Sequence, residues 1–169
     1  MKNSSVWPTD VLEKVIEQHG DMLFRYALTM LGTSQDAEDA VQETLLTYWK
    51  KTPEFKDKDH EKAWLLTVVA NRCKDLLRKQ IRRSEVSMES VAEIADFEAE
   101  IPENSGILDA LMQLPEKYKT VLYLYYVEEY KVEEIARIIG KTASAVKMRL
   151  KKGRELLGEE YRKEGYVNG

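Results

Sequence analysis

The chain has 169 residues, 33% of them charged and 43% hydrophobic, with 8 glycines and 4 prolines, which suits a soluble helical protein of one medium or two small domains. No apolar run approaches the roughly 18 residues of a membrane span, the first residues lack the apolar core of a signal peptide, and a single cysteine excludes a disulfide framework or a cysteine-based zinc cluster. The net charge of −4 is unevenly spread: residues 1–62 carry −4, 63–83 carry +5, 84–106 carry −7, 107–140 carry −2 and 141–169 carry +4.

In chain order, Thr9 to Leu31 reads as helix, in one piece or in two broken near Gly20. Leu12, Val15 and Ile16, then Leu23, Tyr26, Ala27 and Met30, supply its apolar stripes. Gly32 ends it, and Thr33-Ser34-Gln35-Asp36 has the form of a capping box opening the next helix. That helix runs to about Lys51, with Ala37, Ala40, Val41, Thr44, Leu45, Tyr48 and Trp49 on one face. Its opposite side begins with Asp36, Glu38, Asp39, Gln42 and Glu43. Acidic residues at a helix start complement the macrodipole; the same face also suits docking of a basic partner.

Thr52 to Glu61 reads as a polar loop with one aromatic, Phe55, and a helix from Ala63 to about Arg82 follows. Trp64, Leu65, Val68, Val69, Leu76 and Leu77 form its apolar side, and Cys73 is expected to pack at a helix contact. Thr67, Asn71, Lys74, Asp75, Arg78 and Arg82 fall on one continuous polar stripe, with Arg72, Lys79 and Arg83 at its margins. Such a stripe either faces water or reaches base edges and phosphates together.

Residues 84–106 are acidic, contain no basic residue and are interrupted by Pro102, which predicts a tether between two helical domains. A short helix from Ile107 to Leu114 follows, presenting Ile107, Leu108 and Leu111. Pro115 suits the first turn of a further helix that buries Tyr118, Val121, Leu122 and Tyr125.

The last part has the pattern of a helix-turn-helix. Val132, Ile135, Ala136 and Ile139 form one apolar stripe, and Gly140 can take the positive φ that ends the first helix. Ala136 and Gly140 are small where two crossing helices are expected to come close. Thr142 can cap the second helix, whose inward face is Ala143, Val146, Leu150, Gly153 and Leu157. Ser144, Lys147, Met148, Lys151 and Lys152 point outward, and from Lys141 to Arg154 six residues are basic and none acidic. A cationic second helix behind a tight turn is what entry into the major groove requires, because phosphates flank it on both sides.

Catalytic chemistry has little support. His19 and His60 are the only histidines, neither has metal-ligand spacing, and no phosphate loop or nucleophile motif is present. The acidic cluster at Asp36, Glu38, Asp39 and Glu43 lies on one helix face and does not converge as a cation site. No enzyme activity, metal or cofactor is expected.

The chain resembles an extracytoplasmic-function sigma factor of the bacterial sigma-70 family. The similarity is carried by Arg25-Tyr26-Ala27, by Asp36 through Thr44, and by Trp64-Leu65 through Ala70-Asn71-Arg72 to Asp75 and Arg78. Leu114-Pro115, Glu134-Ile135-Ala136, Gly140, Val146-Lys147 and Arg149-Leu150 carry it in the second half. The resemblance implies an all-α protein of two small domains: region 2 over residues 9–83, an acidic linker over 84–104, and region 4 with the helix-turn-helix over 105–160. It implies docking of core RNA polymerase through the β′ clamp helices on Asp36, Glu38, Asp39, Gln42 and Glu43, and through the β flap on region 4.

The same resemblance implies −10 contacts from Thr67, Asn71, Lys74, Asp75, Arg78 and Arg82, with Phe55, Lys56, Asp57 and Lys58 near a base flipped from the non-template strand. Unstacking that base costs a few kcal/mol, which surrounding contacts must offset. It implies −35 contacts from Thr142, Ser144, Lys147, Met148, Arg149, Lys151 and Arg154, and a linker threading toward the RNA exit channel. It further implies a cytoplasmic protein without direct membrane binding, controlled by an anti-sigma factor that is often membrane-anchored. Some positions depart from the family pattern. Glu129 stands where glycine is frequent, Lys119 where arginine is, and Thr142-Ala143-Ser144-Ala145 where Ser-x-Gly-Thr is. Lys131 replaces the usual Ser or Thr cap, which predicts a helix start weaker by ~0.5–2 kcal/mol unless another group caps it. The alternative is a stand-alone helix-turn-helix regulator that binds its operator without polymerase.

Overall fold

A computed structural model describes residues 9–51, 53–83 and 105–163. Among these residues there are seven helices and no strand. The chain divides into two compact units, Met1–Ala95 and Asp96–Gly169. The acidic tether expected over 84–104 lies outside the described residues.

The first unit is a three-helix bundle of α1 (Thr9–Leu31), α2 (Ser34–Lys51) and α3 (Lys58–Arg83), each packed on the other two. Its core is built from Leu23, Tyr26, Ala27 and Met30 of α1, Ala37, Ala40 and Tyr48 of α2, and Leu65, Leu66, Val69 and Cys73 of α3. α1 runs unbroken through Gly20. Glycine there weakens the helix by about 1 kcal/mol, yet Val15, Met22, Leu23 and Tyr26 on both sides are buried and hold both halves to one axis. Ile16, by contrast, is exposed.

α2 starts where the sequence suggested, but with only half of a capping box. The Thr33 hydroxyl accepts the Asp36 backbone N–H at 3.2 Å. The Asp36 carboxylate accepts instead from Gln80 Nε2 at 2.8 Å, joining α2 to the end of α3. α3 begins earlier than expected, at Lys58, because Asp57 caps it: its carboxylate accepts the His60 N–H at 2.8 Å. The loop expected through Glu61 therefore ends at Asp57, and Glu61 becomes a first-turn helical residue.

The second unit comprises α4 (Ser105–Met112), α5 (Glu116–Tyr126), α6 (Val132–Ile139) and α7 (Ala143–Lys163). α7 packs against the other three. Pro115 takes the N-cap position with φ −57° and ψ 149°, one residue before its expected place in the first turn. Val121 and Leu122 of α5 are buried as expected, Tyr118 and Tyr125 only half-buried, and Lys119, Thr120, Tyr123 and Leu124 are buried as well. Of the apolar residues expected on α4, Leu111 is buried and Leu108 half-buried, whereas Ile107 is exposed; Ala110 is buried as well.

Candidate nucleic-acid interface

The α6–α7 pair is held at three points. At the start of α6, Lys131 has no acceptor to offer the first turn, and its side chain makes no capping bond. Glu134 supplies the missing anchorage by accepting the Lys131 N–H at 2.9 Å, one half of a capping box. At the end of α6, Gly140 adopts φ 69° and ψ 38°, and the Ala136 carbonyl accepts from Lys141 N–H at 2.9 Å. At the start of α7, the Thr142 hydroxyl accepts the Ala145 N–H at 3.1 Å.

Of the two small residues expected at a close helix crossing, Ala136 is buried but Gly140 is not at such a contact. A Cβ at Gly140 would meet nothing within 4 Å, so glycine is required there by φ alone and not by a crossing helix. The close approach lies at Gly153, where a Cβ would sit 3.1 Å from Leu122 Cδ1 of α5. Gly153, Val146 and Leu150 are buried, which fixes the rotation of α7 about its axis. Ser144, Lys147, Met148, Lys151 and Lys152 are consequently exposed on the other side, with Arg149 at the margin.

Two of the residues expected at this surface already have partners inside the unit. The Thr142 hydroxyl is engaged in capping. Arg154 donates its Nε–H to the Tyr126 hydroxyl at 2.6 Å and lies 5.7 Å from the ring centroids of both Tyr125 and Tyr126. That bond fastens α7 to the end of α5.

In the first unit, Asn71, Asp75, Arg78 and Arg82 of α3 are exposed, and Thr67 and Lys74 are half-exposed. The Thr67 hydroxyl donates to the Ala63 carbonyl of its own helix at 2.9 Å. Asp75 lies between Arg72 at 3.8 Å and Arg78 at 3.9 Å, so the stripe is not uniformly cationic. Phe55 packs in an aromatic cluster, with ring centroids 5.2 Å from His60, 5.8 Å from Trp64 and 6.0 Å from Tyr48. Of the loop candidates, Lys56 and Lys58 are exposed, whereas the Asp57 carboxylate is committed to the α3 cap.

On α2, Glu38, Asp39, Gln42 and Glu43 are exposed and Asp36 is half-buried against Gln80. Asp39, Gln42 and Glu43 border a pocket of about 220 Å³ together with Leu46, Arg72 and Leu76. Arg72 reaches Glu43 across the α2–α3 contact at 3.9 Å, a long, solvated pair worth about 0–1 kcal/mol. Sequence reading missed Leu46 and Leu76 as part of this surface and placed Arg72 only at a stripe margin. Leu46 does carry a signal in sequence, as a large apolar residue off the Ala37, Ala40, Val41, Thr44, Leu45, Tyr48 and Trp49 face; the structure leaves it 49% exposed. No group of His, Cys, Asp and Glu among the described residues is arranged to hold a metal ion. No helix among them is long and apolar enough to cross a membrane.

These features define a helical DNA-binding protein with two units, the second carrying a helix-turn-helix with an exposed cationic face. Residues 15–83 match the family model for sigma-70 region 2, and residues 105–157 match that for sigma-70 region 4. The chain is 31% identical to the ECF RNA polymerase sigma factor SigL of Mycobacterium tuberculosis over 83% of this chain and 82% of SigL. It is 27% identical to the RNA polymerase sigma factor SigV of Bacillus subtilis over 91% of this chain and 93% of SigV.

Among solved structures, the sigma factor RpoE of Bartonella quintana, in complex with the anti-sigma factor NepR, aligns with a TM-score of 0.72 at 24% identity, covering 92% of this chain and 98% of its own. CnrH, in complex with the cytosolic domain of CnrY, aligns at 0.63 and 22%, covering 90% and 88%. Both share the fold. The chain belongs to the extracytoplasmic-function RNA polymerase sigma factors of the sigma-70 family.

Proposed function

We propose that this chain binds core RNA polymerase in the cytoplasm, directs it to promoters through −35 and −10 elements, and assists melting at the start site. Residues 9–83 act as region 2, 84–104 as the linker and 105–160 as region 4. The observation that carries this function is the exposed face Ser144, Lys147, Met148, Lys151 and Lys152. It has no acidic member and is set behind the Gly140 turn. Lysines on such a face neutralise phosphates and position the helix, while the residues between them meet base edges.

In the first unit, Thr67, Asn71, Lys74, Asp75, Arg78 and Arg82 all remain exposed or half-exposed as −10 candidates, although the Thr67 hydroxyl is bonded to its own helix and Asp75 is paired with Arg72 and Arg78. Phe55, Lys56 and Lys58 are the candidates beside the flipped base. Asp57 is better explained as a helix cap, and Asp36 as a link to Gln80. Core polymerase docks through its β′ clamp helices on Glu38, Asp39, Gln42 and Glu43, around the pocket completed by Arg72, and through its β flap on the second unit. An anti-sigma factor would control the protein by covering these faces; the structural neighbour RpoE was solved with such a partner.

The test is fluorescence anisotropy on a pool of promoter fragments, with and without bacterial core polymerase, at one fixed salt concentration because phosphate-driven affinity falls steeply with salt. Tight, sequence-selective binding is expected only with core present. Equally tight and selective binding by the free chain would make it a stand-alone regulator instead.

A further inference from the structure

Met148 is the most exposed of the large apolar residues described, at 73%. Its placement is imposed by the fold. The Thr142 cap sets where α7 begins, and the contact of Gly153 with Leu122 allows only one rotation of the helix, with Val146 and Leu150 inward. Met148 then stands in a stripe with Ser144, Lys147 and Lys151, all exposed.

We infer that Met148 is a specificity-determining residue that contacts the 5-methyl group of a thymine in the −35 element. The inference deepens the promoter-reading function proposed above and rests on it. A thioether has no hydrogen-bond donor and is only a weak acceptor, so it gains little from the polar edges of guanine, cytosine or adenine. The one apolar group presented in the major groove by unmodified DNA is the thymine methyl. The flanking lysines bring the helix to the phosphates, and the unbranched, flexible methionine reaches the methyl from a range of helix positions. A protein-binding patch would need apolar neighbours; the exposed neighbours of Met148 on α7 are Ser144, Lys147, Lys151 and Lys152.

The experiment uses holoenzyme assembled from this chain and bacterial core polymerase. Promoter duplexes that it selects from a random pool are remade with deoxyuridine replacing each −35 thymine in turn, on either strand. This removes one methyl group and leaves pairing and hydrogen bonding unchanged. At one thymine, the replacement is expected to weaken binding about fourfold, the equivalent of about 0.8 kcal/mol for one buried methyl group. Met148→Ala should weaken binding to the thymine duplex to a similar degree and abolish the uracil penalty, while Met148→Leu should retain the penalty. Unchanged melting temperatures of both variants establish that the fold is intact. No uracil penalty in the natural protein, or an equal penalty in Met148→Ala, overturns the inference while leaving promoter reading in place. Failure of the holoenzyme to select any duplex removes both.

Discussion

The Tyr48 hydroxyl donates a 2.6 Å hydrogen bond to Glu61, and the second oxygen of that carboxylate lies 3.0 Å from His19 Nε2. One acidic side chain thus joins α1, α2 and α3. Truncation to Glu61→Ala leaves two largely buried polar groups without this partner, and the expected loss is about 1–3 kcal/mol. Chemical denaturation, followed by circular dichroism on the whole chain, measures it.

Burial first, and then the hydrogen bond and negative charge of Glu61, push Tyr48 well above the ordinary tyrosine range. The fold favours the neutral phenol. Its contribution to stability is therefore complete below the unfolded value of about 10 and is lost as pH rises through the folded value. Ultraviolet titration should show a late step, after the exposed tyrosines and as helicity disappears, to which Tyr48 contributes alongside the other buried tyrosines, Tyr26 and Tyr123. In Tyr48→Phe the late step should be smaller by one tyrosine.

Glu129 is the one non-glycine residue with positive φ among the described residues, at 59°. It lies between α5 and α6, where the left-handed conformation costs an L-residue roughly 1–2 kcal/mol. Glu129→Gly should raise stability by about 1 kcal/mol after the entropy of the more flexible unfolded chain is subtracted. A lower melting temperature would mean that Glu129 contributes more through its side chain than its backbone takes away.

The two glycines of the helix-turn-helix unit should fail differently. Gly140→Ala is expected to cost about 1–2 kcal/mol because of φ, and Gly140→Asn less, since asparagine tolerates that region. Gly153→Val meets the buried Leu122 and should cost about 1–3 kcal/mol through overpacking, with no relief from Gly153→Asn. Thermal melts of the four variants distinguish backbone conformation from crowding.

Surface charges should affect binding and leave stability unchanged. Lys147→Ala or Lys151→Ala is expected to weaken promoter binding by the holoenzyme and reduce its salt slope by about 1 each. Neither should shift the melting temperature, because both side chains are exposed. Asp39→Arg should weaken association with core polymerase, measured with a labelled chain, while helicity of the free protein stays the same.

Much of this fold was legible locally. Helix periodicity placed α1, α2, α4 and α6 to within a few residues, whereas α3 starts at Lys58 and not Ala63, and α7 continues past Leu157 to Lys163; apolar spacing, Thr142 and Gly140 act over only one or two turns. Inward and outward faces of α7 followed from the same spacing, which is why its cationic surface could be read before its neighbours were known. Asp57 shows the limit of local reading: the sequence placed it in a polar loop, and only the structure shows its carboxylate accepting the His60 N–H at the start of α3.

Tertiary structure decided what depends on distant partners. Glu61 reads as one more charge in a polar loop until packing brings it to His19 and Tyr48. Asp36 leaves its capping box for Gln80, and Arg72 turns from a stripe margin to Glu43. The positive φ of Gly140 follows from its place at a helix end, but only interhelical packing shows that Gly153 serves a close contact with Leu122. Periodicity specifies a face, whereas a partner depends on how helices far apart in the chain are brought together by burial of their cores.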